Sequence, residues 1–253
     1  LILDEILEHK REEVSQRKRA ASEEEVREAA VKASPVRPPR FDGPMSVIAE
    51  VKRMSPSAGA IAAGLDPVEQ ALRYQEGGAA AISVLADERF FGGSLNDLRA
   101  VCEAVEIPVL CKDFILSEYQ VWEARACGAD LVLLILAALS DYSYRSLLSL
   151  TNQLGMTALV EVHDQHDLAK AIASDAPIIG INNRDLSDFS VDLITTEYLA
   201  PLIPEGTIIV SESGITSRED VERIQRAGAT VVLVGEALMR SESPREEIRE
   251  LLG

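Results

Sequence analysis

The sequence predicts a (β/α)8 TIM barrel, and three observations carry that prediction. From residue 46 onward, short β-rich runs alternate with longer amphipathic stretches in a beat of roughly thirty residues, the spacing of repeated strand–helix units. The runs are apolar on both faces, which suits a parallel sheet covered by helices. Eight of them fit into 253 residues, and eight units close a barrel of about this length.

In order, the strands are expected at "SVIAEV" (46–51), "AAISVL" (80–85), "PVLCKD" (108–113), "LVLLIL" (131–136), "ALVEVH" (158–163), "IIGINN" (178–183), "TIIVSES" (207–213) and "TVVLVG" (230–235). Helices with apolar residues at three-and-four spacing are expected between them, as over 67–77, 117–128 and 217–228. Asp66-Pro67 reads as an N-cap and first turn, and Gly77, Gly128 and Gly228 as stops. Residues 1–45 stand outside the beat: Leu3, Ile6 and Leu7 form a helical stripe, and "SPVRPPR" (34–40) breaks the chain before the first strand. They read as an N-terminal helical extension on a single barrel domain spanning 1–253.

A formal charge of −17 and a pI near 4.6 repel a phosphate backbone, so neither nucleic acid nor membrane is an expected partner. A small anionic, phosphorylated ligand remains compatible if positive charge is concentrated locally. Cys102, Cys111 and Cys127 have no CxxC spacing and read as reduced, buried thiols of a cytoplasmic protein. The apolar run 131–139 is far short of the roughly 20 residues of a membrane-spanning helix, and the charged opening is unlike a signal peptide. A start at Leu1 is that expected of a trimmed chain. A monomer or weak homo-oligomer is expected.

In such a barrel the loops after the strands form the active face, so polar residues at strand ends are placed for chemistry. They accumulate there: Glu50 and Lys52, Lys112 and Asp113, Glu161, Asn182 and Arg184, Glu212 and Ser213. A lone strand-end carboxylate is commonly structural, but several strands contribute here. Lysines are few (Lys10, Lys18, Lys32, Lys52, Lys112 and Lys170), and lysine, unlike arginine, loses its proton when partly desolvated. Lys52 and Lys112 are therefore candidates for proton transfer, the alternative being a point charge that holds an anion. Glu161 interrupts an apolar strand, and a pair with Lys112 across the barrel would set an acid and a base in one site. A buried structural ion pair is the competing reading.

"SESG" and "VGEALM" place glycines and backbone N–H groups after the seventh and eighth strands, where such barrels often bind phosphate. Ser213, Gly214 and Gly235 are the expected cradle, with Glu236 tolerated only if its N–H alone faces inward. His163 and His166 lack a third soft ligand nearby, so no metal is expected, and the "GG" pairs do not make a dinucleotide fingerprint. Phe90 and Phe91, read as loop residues after the second strand, could wall an aromatic substrate or simply pack.

Together "AEVKRMSPS", "FFGGS", "CKDF", "LVEVH", "GINNRDL", "SESGI" and "VGEALMR" closely resemble the indole-3-glycerol phosphate synthase family, in unbroken order over 46–240. The N-terminal extension is similar too, with a shorter segment at 41–46. The resemblance implies ring closure of 1-(2-carboxyphenylamino)-1-deoxyribulose 5-phosphate, with loss of carbon dioxide and water and no metal or organic cofactor. It implies that Lys112 is the general acid of condensation and Glu161 the carboxylate of the dehydration proton transfers. Lys52 matches the lysine that holds the substrate carboxylate, and the resemblance leaves open which lysine donates the later proton. Glu50 and Glu212 match carboxylates that orient lysines and substrate; Asn182 and Arg184 match polar groups that orient the site. Ser55, Ser213, Gly214, Gly235 and the Glu236 backbone match substrate and phosphate contacts, and Phe91, Phe114, Leu133 and Leu186 would line the aryl pocket. Met54, Ala58 and Glu236 depart from the more polar residues or serine frequent at those positions.

Two other readings compete. A phosphoribosyl isomerase barrel would be expected to use a Cys/Asp or Asp/Asp pair, whereas Cys111 and Lys112 point oppositely by alternation. A non-catalytic barrel that binds an anionic phosphometabolite would need the cradle and one basic clamp, but not Lys112 facing Glu161.

Overall fold

A computed structural model describes residues 2–55, 59–60, 64–185 and 190–253, apart from the side chains of Ser55 and Ala60. Among these residues eight parallel strands close a barrel: β1 (Ser46–Val51), β2 (Ala81–Leu85), β3 (Val109–Lys112), β4 (Leu131–Ile135), β5 (Thr157–Val162), β6 (Ile178–Asn182), β7 (Ile208–Glu212) and β8 (Val231–Val234). Each pairs with the next, and β8 returns to β1 with Ile48 beside Leu233. Every strand end falls within one residue of its expected position.

Strand alternation separates two cores. Ile48, Leu110, Leu133, Leu159, Ile178, Val210 and Leu233 fill the barrel, while their neighbours Val47, Ala49, Cys111, Val132, Val160, Ile179 and Val232 pack outward under the helices. The inward rows matter for function because each continues, two residues at a time, to the barrel mouth. Ile48 leads to Glu50, Leu110 to Lys112, Leu159 to Glu161, Ile178 to Gly180 and Asn182, and Val210 to Glu212.

The expected helices form over Pro67–Gly77, Glu118–Ala126 and Arg218–Ala227. Asp66 accepts hydrogen bonds from the Val68 and Glu69 N–H groups, and Ser217 makes a capping box with Asp220. Two local features differ from the sequence reading. The loop after β1 contains a small hairpin, Met54–Ser55 with Gly59–Ala60. Residues Glu88–Phe91, read as loop, form one helical turn because Asp87 accepts from the Phe90 N–H at 2.7 Å and Gly92 ends the turn at φ 65°.

The extension forms two helices, α1 (Ile2–Ala20) and α2 (Glu23–Lys32), joined where Ser22 and Glu25 make a capping box. Val14 and Val26 from these helices pack on Tyr119, whose hydroxyl donates to the Arg17 and Ala21 carbonyls. Beyond α2 the chain is pinned beneath the barrel by Asp130, whose carboxylate accepts from the Arg37 backbone N–H, the Arg37 guanidinium and the Val109 N–H. Asp130 is fully buried, so its removal leaves the Val109 N–H unpaired and the strap unanchored. Asp130→Ala is expected to destabilise the protein by about 3 kcal/mol in urea unfolding. A loss below about 1 kcal/mol would show that the strap is not anchored there.

Candidate active site

The inward rows converge on a cavity of about 500 Å³ at the C-terminal mouth of the barrel. Glu50, Lys52, Lys112, Glu161 and Asn182 line it, and Glu212 stands directly behind Lys112. The three carboxylates are almost fully buried, at 4%, 2% and 1% exposure for Glu50, Glu161 and Glu212. Lys52 Nζ sits 2.8 Å from Glu50 Oε1; Lys112 Nζ sits 2.9 Å from Glu212 Oε2 and 3.7 Å from Glu50 Oε2. Glycine makes room for two of these carboxylates. A Cβ at Gly180 would fall 2.2 Å from Glu212 Oε1, and one at Gly235 would fall 2.6 Å from Glu50 Oε1.

The expected direct pair between Lys112 and Glu161 is not what forms. Glu212, on the far strand, takes the ammonium, and Glu161 stands instead beside Asn182 and Glu212. His163 Nε2 lies 3.3 Å from Glu161 Oε1. Sequence reading set His163 aside as a metal ligand and missed this contact, although alternation places residues 161 and 163 on one face.

Burial and neighbouring charges together shift the titrating groups. Glu50 and Glu212 each lie within 3 Å of a lysine ammonium, whereas the near basic group of Glu161 is the His163 ring. Burial disfavours the ammonium of Lys112, but Glu212, Glu50 and Glu161 outweigh burial and hold its pKa above the ordinary lysine value. That reverses the expectation that desolvation would loosen a lysine proton here. Burial also raises the carboxyls of Glu161 and Glu212; Lys112 opposes this, yet Glu212 is pushed up to about 7. Glu50 goes the other way, because Lys52 and Lys112 together overcome its burial. Two carboxyls raised by burial, Glu161 and Glu212, thus stand beside a Lys112 ammonium that the surrounding carboxylates stabilise.

The rest of the cavity divides into an apolar end and a glycine-bearing end. Phe91 and Phe114, with ring centroids 6.1 Å apart, form one wall with Leu133 and Ile135. Leu3 and Ile6 of α1 close it from above, a contribution of the extension that its helical stripe only hinted at. Opposite, Ser213, Gly214, Gly235 and Glu236 line the loops after β7 and β8. Gly214 takes φ 84°, and Ser213 Oγ donates to Asn182 Oδ1 at 2.9 Å. The Glu236 carboxylate turns to Arg240, 2.8 Å away, which answers the charge conflict expected from its position. Arg184 also lines the cavity, and its N–H donates to Asn182 Oδ1. Leu186, Ala58 and the side chain of Ser55 lie outside the described residues.

Fold and charge arrangement together define a (β/α)8 barrel with titratable groups gathered at the end where such barrels carry their active sites. The model of the family described as indole-3-glycerol phosphate synthase matches residues 3–251. The indole-3-glycerol phosphate synthase of Kineococcus radiotolerans is 48% identical over 259 residues, covering 99% of this chain and 94% of that protein. That of Nocardioides sp. is 49% identical over 256 residues, covering 100% and 98%. Among solved structures, a 3-hexulose-6-phosphate synthase superposes with a TM-score of 0.64 at 18% identity, covering 82% of this chain and 98% of that one, which bears on the fold alone. The chain belongs to the indole-3-glycerol phosphate synthase family, decarboxylating lyases of tryptophan biosynthesis.

The raised carboxyl of Glu212 has a measurable sign. Between its ordinary value of 4.5 and about 7, the folded protein holds a proton at Glu212 that the unfolded chain has released. This residue's contribution to stability therefore falls as pH rises through that window. Glu212→Gln cannot titrate, so its urea midpoint is expected to gain on the parent's from pH 4.5 to pH 7. A constant difference between the two proteins would refute the raised value.

Proposed function

We propose that this chain closes the indole ring of 1-(2-carboxyphenylamino)-1-deoxyribulose 5-phosphate, with Lys112 as the acid of the condensation. The observation that carries the reading is the Lys112 side chain, gripped by Glu212 and Glu50, facing a cavity whose neighbouring wall is aromatic. The Phe91 and Phe114 wall takes the aryl ring, and Lys52 takes its carboxylate. Backbone N–H groups around Gly214, Gly235 and Glu236 receive the phosphate, with Arg240 neutralising the Glu236 side chain.

Chemistry follows from where the protons stand. Lys112 donates to the ribulose carbonyl oxygen as the ring carbon bearing the carboxylate attacks the carbonyl carbon. The carboxylate then leaves as carbon dioxide, and its bonding electrons restore the aromatic ring. The new hydroxyl departs as water with a second proton, while a proton is removed from the methylene carbon beside nitrogen. Glu161, whose carboxyl burial raises, serves these dehydration transfers, with Asn182 beside it. Summed over the steps, one proton enters per turnover, because an anionic carboxylate leaves as a neutral gas.

The same reading covers the protein's setting. It acts as one (β/α)8 domain with its N-terminal extension, as a monomer or weak homo-oligomer in the cytoplasm, without nucleic acid or membrane partners. A charge of −17 supports this, as do free Cys102, Cys111 and Cys127. Among the described residues no helix is long and apolar enough to cross a membrane.

Indole fluorescence is expected to rise when the protein meets the substrate in excess chelator. Lys112→Met is expected to lower kcat by on the order of 10² to 10⁴ while the circular dichroism spectrum is retained. Turnover equal to the parent's would remove Lys112 from its role. Tight binding of the substrate without product would support a phosphometabolite carrier instead.

A further inference from the structure

Lys10 of α1 is fully buried, and its ammonium lies 2.8 Å from each of Glu13, Asp87 and Asp113. A lysine at 0% exposure is costly unless several oxygens replace its water, and here three carboxylates from different segments do so. Burial works against the charge, but Asp113 and Asp87 outweigh it and raise the lysine above its ordinary value.

Both aspartates hold the aromatic wall. Asp87 follows β2, and its other carboxylate oxygen caps the turn carrying Phe91 through the Phe90 N–H at 2.7 Å. Asp113 follows Lys112 on the outward side of β3, and its carboxylate accepts from the Phe114 N–H at 2.8 Å. A single ammonium thus sets the separation of the two loops whose rings face each other across 6.1 Å. Lys10 also fixes the near end of α1, where Ile6 and Leu3, about one and two turns earlier, cover the same end of the cavity. The far half of α1 is held independently by Val14 and by the Tyr119 hydroxyl on Arg17 and Ala21. Without Lys10 the helix stays docked at that end, but Asp87 and Asp113 face each other with no counter-charge between them. One must then take up a proton or turn away, and either change loosens Phe91 or Phe114.

We propose that Lys10 is a positioning residue for the aryl end of the cavity, an ionic clamp that joins the N-terminal helix to the loops after β2 and β3. The inference rests on the proposed function for the identity of the aryl ligand. It separates the two ends of the site: the clamp serves the aromatic wall, and the glycine-bearing end after β7 and β8 is independent of it.

The test compares parent, Lys10→Met and Asp87→Asn by binding of fluorescent 2-aminobenzoate, binding of inorganic phosphate, and steady-state turnover. Asparagine keeps the helix cap but not the charge, so Asp87→Asn serves where Lys10→Met does not fold. The Kd of 2-aminobenzoate is expected to rise about ten-fold in Lys10→Met and about three-fold in Asp87→Asn, and the KM of the substrate with it. The Kd of phosphate stays within about two-fold and kcat within about three-fold. An unchanged 2-aminobenzoate Kd, in Lys10→Met or in Asp87→Asn alone if only that variant folds, overturns the proposal. So does an equal loss of both ligands, the mark of a scaffold loosened throughout. If the parent binds 2-aminobenzoate but yields no indole product, the ring-closure reading falls, and the two affinities still decide for or against the clamp.

Discussion

Everything at the barrel mouth depends on the ion cluster formed by Lys112 with Glu212 and Glu50. An ammonium 2.9 Å from one buried carboxylate and 3.7 Å from another has exchanged its water for fixed charges on strands that cannot move apart without opening the barrel. The carboxylates hold the Lys112 pKa above its ordinary value, and burial raises the carboxyls of Glu161 and Glu212 beside it. An arginine in place of Lys112 would supply charge without a proton to give, and an apolar residue would leave Glu212 without its ammonium while Glu50 kept Lys52.

The barrel delivers these groups through its alternation. Each inward row begins with an apolar layer, and several end in a reactive side chain, so packing and chemistry share the same strands. Glycines at 180 and 235 complete the arrangement by leaving space where carboxylates cross from neighbouring strands. The basic groups at that mouth, Lys52, Lys112 and Arg240, are each matched by a carboxylate, Glu50, Glu212 and Glu236.

Much of this was legible in the sequence. Eight apolar runs and their strand-end polar residues located the barrel and the site, because a period of two and a fixed active face are properties of the chain itself. Partner choice was less accessible. Glu161 looked like the mate of Lys112, but which strand ends meet across a barrel follows from tilt and stagger, which alternation does not encode. Glu212 holds that place. The Glu88–Phe91 turn was missed because its cue was a single capping aspartate ahead of two phenylalanines. Lys10 had no role assigned from the sequence, and only its 0% exposure reveals the clamp.

The most direct test of the account is the protonation state of the Lys112 side chain in the resting enzyme. With lysine side chains labelled with ¹⁵N and the resonance assigned through Lys112→Met, the Nζ shift can be followed with pH. The cluster predicts an ammonium that persists beyond the ordinary lysine value of 10.5. A neutral amine appearing below that value would mean that burial, not the three carboxylates, governs Lys112, and would contradict the acid role built on it.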